Sequence, residues 1–355
     1  MLPWIFENLK FIEKNSYSQS NSSLSSTVSA KFCRSVLDGD TTALLMAKHV
    51  KRWAFLGSLT SKWTPAFLSM YFETFQHMDN LQELSLSNII IHKDFFKRLA
   101  SIPVLKALTI ENCSFHETVL EKHLKRFQSL PLKQLALLNS TQNNQLRRLV
   151  PYLNLSSLIR LELDIGFHLA KLSLPDSSLP LEYFYLGGIQ DPLQVAQFLE
   201  RTPHLKILHI PSFPSKRLSP LFMVYPHVIP QLTELSSSWS LCAQILPGRP
   251  ISRLGVTSVS QELGENDMKV LANFKKPLFQ LSIPISFYNN VSLWEHFPDL
   301  QNLELCGLKD EKVWGEVCFL SLQRCLNSYS LRCLGHLLRI QGEPPPETMF
   351  AQVNI

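Results

Sequence analysis

The residues that could do chemistry are plentiful in type and poor in spacing. Eleven histidines and seven cysteines could supply a metal site, a nucleophile or a general base. A zinc site needs closely spaced ligand pairs. Cys33, Cys113, Cys242, Cys306, Cys318, Cys325 and Cys333 include no CxxC. His49, His77, His92, His116, His123 and His168 fall in different stretches, so no local motif couples an acid to a base. Phosphate cradles of the GxGxxG or GxxxxGK[ST] kind are missing, as are GxSxG and HExxH. Gly187 and Gly188 in "LGGI" follow a strand-like run without a lysine or third glycine, and read as an exit turn. The expectation is a chain that is not an enzyme and carries no cofactor and no metal.

Residues suited to binding are easier to find. "LEYFYL" places Tyr183 and Tyr185 two positions apart, which is the strand period. Arg160 and Glu162 hold the same two places in "LIRLEL". His209 in "LKILHI", Glu234 in "LTELSS" and Arg253 in "ISRLGV" repeat the placement. Large amphipathic rings beside an arginine suit a protein interface. The same tyrosines could equally pack on each other and on their neighbours.

These residues need elements that hold them in line. The pattern apolar-x-x-apolar-x-apolar starts at Leu81, Leu105, Leu132, Leu158, Leu181, Leu205, Leu232, Ile251, Leu278 and Leu300. Successive starts lie 24, 27, 26, 23, 24, 27, 19, 27 and 22 residues apart. "VKRWAF" at Val50 reads as an earlier, bulkier rung, and the Leu232 rung ends on Ser237 instead of an apolar residue. Within a rung, alternate leucines enter a core and the residues between them face away.

The return segments carry helix signals. In "DPLQVAQFLERTPHL", Asp191 caps, Pro192 sits at the first helical position, and Val195, Phe198 and Leu199 share a face. "FFKRLASIP" repeats this with Phe95, Phe96 and Leu99. One tile cannot offset its own ordering cost, so tiles must stack. The predicted fold is α/β, a leucine-rich-repeat solenoid of about ten or eleven repeats. A curved parallel sheet lies inside, with helices and irregular turns outside.

The spacing resembles the ribonuclease-inhibitor-like class of leucine-rich repeat. That consensus puts Asn or Cys three residues past the last apolar strand position. Cys113 fits, and Asn88 and Asn139 fall one residue short. "FCRSVLDGDTTALLMAKHVKRWAF" resembles the linker after the F-box in fungal, especially mushroom-type, F-box/leucine-rich-repeat proteins. "FPDLQNLEL…VWGEVCFLSLQRC" is similar to their closing repeat. The three-helix F-box itself is missing or degenerate: "LPWIFENL" leads only into the Ser/Asn-rich "NSYSQSNSSLSSTVS".

The resemblance implies the substrate-receptor part of an F-box type ubiquitin ligase. A protein target would lie on the concave face, with a Skp-type adaptor and cullin as partners if an F-box is present. A free-standing scaffold with no ligase link is the alternative, and an enzyme with an unrecognised site a third class.

The expected organisation is a Ser-rich segment over residues 1–30, disordered or an F-box remnant. The solenoid with an N-terminal helix follows over 31–325, then a C-terminal cap and frayed tail over 326–355. Composition sets the remaining expectations. With 45% apolar residues, 18% charged residues and a net charge of +5, the chain reads as globular. Its scattered cations argue against a nucleic-acid groove. No apolar run reaches membrane-spanning length. The cysteines read as free, mostly buried thiols. A monomer in the cytoplasm or nucleus is the expectation.

Overall fold

A computed structural model describes residues 8–12, 26–57, 65–138, 144–164, 169–172, 174–188, 191–211, 225, 227–258, 277–284, 297 and 299–306. The chain divides into two compact units, Met1–Ile210 with Leu218–Gln231, and Pro211–Arg217 with Leu232–Ile355. The expected cap and tail over 326–355 lie outside the described residues.

In the first unit the strands are β1 (Asn8–Ile12), β2 (Arg52–Leu56), β3 (Glu83–Ser87), β5 (Ala107–Glu111) and β7 (Gln134–Leu138). They continue through β8 (Arg160–Leu163), β9 (Tyr183–Leu186) and β10 (Ile207–Ile210). Each pairs in parallel with the next. Two short strands, β4 (Ile90–Ile91) and β6 (Ser114–Phe115), form a separate parallel pair just past β3 and β5. Strand β1 is a rung the sequence ladder did not include. It lies in the segment set apart as Ser-rich and runs in register with β2, Asn8 opposite Arg52.

The register shows why these residues form a sheet. Leu84, Leu108, Leu135, Leu161, Phe184 and Leu208 make one row. Leu86, Ile110, Leu137, Leu163 and Leu186 make the next, and all are buried. Burying each such side chain contributes roughly 1.5–3 kcal/mol. A slip of one residue would turn both rows out to water.

Neighbouring rungs are also hooked together by the backbone. The carbonyl of Lys51 accepts from both Gln82 and Glu83, and that of Gln82 from Lys106 and Ala107. Lys106, Lys133, Ile159 and Glu182 repeat the double acceptance toward their following strands. The strands are thereby fixed at their N-terminal ends.

Outside the sheet, helices and 3₁₀ turns alternate as expected. Helices α1 (Ser26–Leu37), α2 (Thr41–Lys48) and α3 (Pro65–Thr74) cover the first rungs, and α4 (Lys93–Leu99) follows β4. The Asp40 side chain accepts from the Ala43 N–H at 2.7 Å and starts α2. Phe95, Phe96 and Leu99 of α4 are buried as the sequence predicts. The Val50 rung is the bulkiest: Trp53 meets Phe75 edge-on at 5.8 Å and Phe55 meets Tyr71 at 5.0 Å. Helix α5 (Glu121–Leu124) precedes β7, and the connection from β7 to β8 runs through 3₁₀ turns at Asn144–Tyr152 and Leu155–Ser157. Pro151 lies inside the first and removes an N–H.

The turns leaving β3 and β5 give these consensus positions their geometry. Asn88 and Asn112 both adopt left-handed backbone, φ 57° and 50°, a conformation asparagine tolerates better than most residues. Asn88 therefore fills a turn position one residue before the consensus place. Cys113 acts as expected, its thiol donating to the Glu111 carbonyl at 3.2 Å. Gly57 packs against this turn so closely that a Cβ would sit 2.6 Å from the Asn88 carbonyl oxygen. Only glycine fits there.

Helix α6 (Pro192–Glu200) bears out its sequence signals. Asp191 accepts from the Leu193 N–H at 3.0 Å, and Val195, Phe198 and Leu199 are buried.

The second unit repeats the design with β11 (Glu234–Ser237), β12 (Arg253–Val256), β13 (Gln280–Pro284) and β14 (Asn302–Cys306), all parallel in that order. Ser237, where the leucine pattern lapses, is still fully buried. Its carbonyl accepts from the Thr257 N–H at 2.8 Å and from the Cys242 thiol at 3.6 Å. Past helix α7 (Trp239–Ile245) a buried arginine folds back on its end: Arg249 donates from its guanidinium to the Ile245 carbonyl. Burial lowers that guanidinium to about 10, so it stays charged at neutral pH against the helix C-terminus. These units make the chain a leucine-rich-repeat solenoid of the α/β class.

Candidate recognition surface

Strand alternation leaves two lines of residues on the face opposite the leucines. In the first unit one line runs Arg52, Glu83, Ala107, Gln134, Arg160, Tyr183 and Ile207. The other runs Ala54, Ser85, Thr109, Ala136, Glu162, Tyr185 and His209. Small side chains dominate the early strands. The bulk gathers on β8, β9 and β10.

There the side chains form a connected set. Arg160 and Glu162 lie two residues apart on one face of β8, and the Arg160 Nε donates to Glu162 Oε1 at 2.7 Å. A second guanidinium nitrogen reaches the same oxygen at 2.6 Å. With one edge held, the Arg160 plane lies over the Tyr183 ring on β9, its Cζ 3.9 Å from the centroid. That is cation–π geometry. Tyr183 in turn meets His209 of β10 edge-on at 5.5 Å. Tyr185 stands opposite Glu162. Burial, with Asp164 and then Glu162 nearby, raises its phenol above the usual range. The phenol therefore stays protonated at neutral pH and can donate a hydrogen bond.

The structure thus brings together five of the seven residues that the sequence singles out: Arg160, Glu162, Tyr183, Tyr185 and His209. Glu234 and Arg253 lie in the second unit and meet one another across β11 and β12 at 3.4 Å. No ring is in contact with Arg253 there, among the described residues.

Sequence reasoning missed one pairing. His92 and His116 stack at 4.3 Å, with their planes 28° apart. They leave β4 and β6 at equivalent places, and their separation matches the 24-residue step between the Leu81 and Leu105 rungs. Burial first, then the neighbouring His116, lowers the His92 imidazole. The repeat period was the signal that could have found this pair.

Nothing in the set points to bond-making. Cys33, Cys113 and Cys242 are free and buried. Burial pushes each thiol up to about 12, far from the thiolate a nucleophile needs. Among the described residues no group of three or more His, Cys, Asp or Glu could hold a metal ion, and no helix is long and apolar enough to cross a membrane.

No protein family and no curated protein matches this chain. Solved structures give distant likenesses. An internalin from Listeria monocytogenes is 15% identical, covering 89% of this chain and 95% of its own, with a TM-score of 0.39. The complex of Rad7 and Elc1 from yeast gives 14% identity, 74% and 73% coverage and 0.37. The TLR13–ssRNA13 complex gives 16% identity, 74% and 33% coverage and 0.36. Overlaps this loose decide nothing about function. The fold assignment stands on the register and spacing of the rungs themselves.

Proposed function

We propose that this chain is a protein-recognition module whose working surface is the cluster on β8, β9 and β10. The observation that carries the reading is the Arg160 guanidinium seated 3.9 Å over Tyr183 with its edge held by Glu162. Such a group is ordered before a partner arrives, so less side-chain entropy is lost on binding. Tyrosine and arginine are the residue types that dominate interface energetics. The partner is a protein, held by position, and the chain makes no chemical change to it. A monomer in the cytoplasm or nucleus suits that work.

The finer reading follows the sequence likeness over Phe32–Phe55 and Phe297–Cys325: the substrate-receptor part of an F-box type ubiquitin ligase. The decisive experiment is co-purification of the tagged chain with a Skp-type adaptor and cullin, followed by Tyr183→Ala with Tyr185→Ala. The ligase reading requires the adaptor in the wild-type complex. The recognition reading requires that the double variant lose its bound target by at least about tenfold with unchanged thermal unfolding.

One observation favours the alternative of a free-standing scaffold. Asn8–Ile12, in the region where the likeness would put F-box helices, is a strand hydrogen-bonded to β2. Repeated absence of the adaptor, with the target still captured through Tyr183 and Tyr185, would leave the scaffold as the function.

A further inference from the structure

A second surface lies at the N-terminal edge of the first unit's sheet. The residue just before each strand forms its own line: Lys51, Gln82, Lys106, Lys133, Ile159, Glu182 and Lys206. Their carbonyls are the double acceptors that hook one rung to the next, so the backbone spacing here is fixed. Neighbouring strands lie roughly 5 Å apart. Side chains in this line do meet: Lys106 Nζ donates to Gln82 Oε1 at 3.1 Å, and Lys206 pairs with Glu182 at 3.0 Å.

The middle of the line and its β10 end are built differently. Toward β10, opposite charges stand side by side and neutralise each other. At β5 and β7 two exposed lysines, Lys106 and Lys133, stand side by side instead. Like charges opposite one another across strands are destabilising. Among the described residues neither has a carboxylate within ion-pairing distance. The carboxylates of the next line, Glu83 and Glu162, are engaged by Arg52 at 3.2 Å and by Arg160. Next to Lys133 the line continues with Ile159, a large apolar side chain 40% exposed.

We propose that this edge docks an acidic segment of a partner protein, its carboxylates on Lys106 and Lys133 and an adjoining apolar side chain on Ile159. The segment would cross the strands, since that is the direction in which the two cations and the isoleucine are arrayed. A nucleic acid fits less well. It needs many phosphate contacts, and the line contains no ring for base stacking.

The test uses the full chain and fluorescence anisotropy with a fluorescein-labelled oligoglutamate peptide ending in leucines. Binding should be seen at low ionic strength and weaken with added salt. The double variant Lys106→Gln with Lys133→Gln should weaken it roughly fivefold to tenfold. A glutamine version of the peptide should not bind. Lys122→Gln with Lys125→Gln, on the helical side, should leave the acidic peptide bound as before, and so should Tyr183→Ala with Tyr185→Ala. That last arm keeps this surface distinct from the Arg160–Tyr183 cluster, whose failure would not touch it. Equal loss in both lysine double variants, no binding at low ionic strength, or a labelled oligo(dT) that binds more tightly through Lys106 and Lys133 would each overturn the proposal.

Discussion

Arg160 with Glu162 and Arg253 with Glu234 are the same two residue types, the arginines at equivalent strand positions of the two units, yet they are different objects. Arg253 is 62% exposed and meets its glutamate across strands at 3.4 Å. Solvent screens such a pair, and pairs of this kind contribute about 0–1 kcal/mol. Arg160 is less exposed, meets its glutamate along one strand at 2.6 Å, and has an aromatic ring beneath it. The difference comes from the neighbour on the next strand, a tyrosine for Arg160 and Gln280 for Arg253. An ion pair becomes a preorganised surface when a ring backs it.

The strongest way to break this contrast is to remove its floor. Phe184 lies beneath the cluster, fully buried, with its ring 4.7 Å from Phe198 of α6. Phe184→Ala should cost about 3–5 kcal/mol, read as a lower urea midpoint. Leu254→Ala, beneath the second pair, should cost about 2–4 kcal/mol. Equal losses would mean that the cluster and its helix are no better anchored than the plain pair.

A smaller effect separates the arginines directly. Arg160→Ala removes a cation–π contact and an ion pair, together about 1–2 kcal/mol. Arg253→Ala should cost no more than about 0.5 kcal/mol. Thermal unfolding of the two variants compares them, and an equal shift would reduce Arg160 to an ordinary surface charge.

The finest probe is the Tyr185 phenol, which has no tyrosine counterpart on the lines around Glu234 and Arg253. Its folded value is raised, whereas an unfolded phenol ionises near about 10. The unfolded chain therefore loses this proton first. Its contribution to stability is fully present below about pH 10 and is lost as pH climbs through the folded value. Ultraviolet difference absorbance should show a late tyrosine step that Tyr185→Phe removes. Glu162→Gln with Asp164→Asn should move that step down, though burial keeps it above the unfolded value.

Much of the fold was legible because burial repeats. Leu84, Leu108 and Leu135 announce themselves by spacing, and the structure sets them in one register. The cap at Asp191 and the bulky rung at Val50 were equally readable, since each uses residue types tied to one local geometry. Strand β1 was not. "FENLKF" at Phe6–Phe11 does carry the apolar-x-x-apolar-x-apolar pattern, but it starts 44 residues before the Val50 rung, outside the period of the other rungs, and only its pairing with β2 supplies the register. The grouping of Arg160, Glu162, Tyr183, Tyr185 and His209 was legible once their lines were counted. What sequence could not give was the orientation of Arg160, which depends on two simultaneous contacts. The lysine line escaped because those residues precede the strands, where alternation no longer tells inside from outside.

The doubly accepting carbonyls have a consequence for how such a chain can change. Lys51, Gln82, Lys106, Lys133, Ile159 and Glu182 each grip only the following rung, so no bond in this series reaches past its neighbour. Inserting or deleting one whole rung leaves every other grip as it was. Adding a single residue inside a strand turns everything after it onto the opposite face and breaks the pairing register there. Growth and shortening by complete repeats are thus the gentle edits for this architecture, and a frame of one residue is the harsh one.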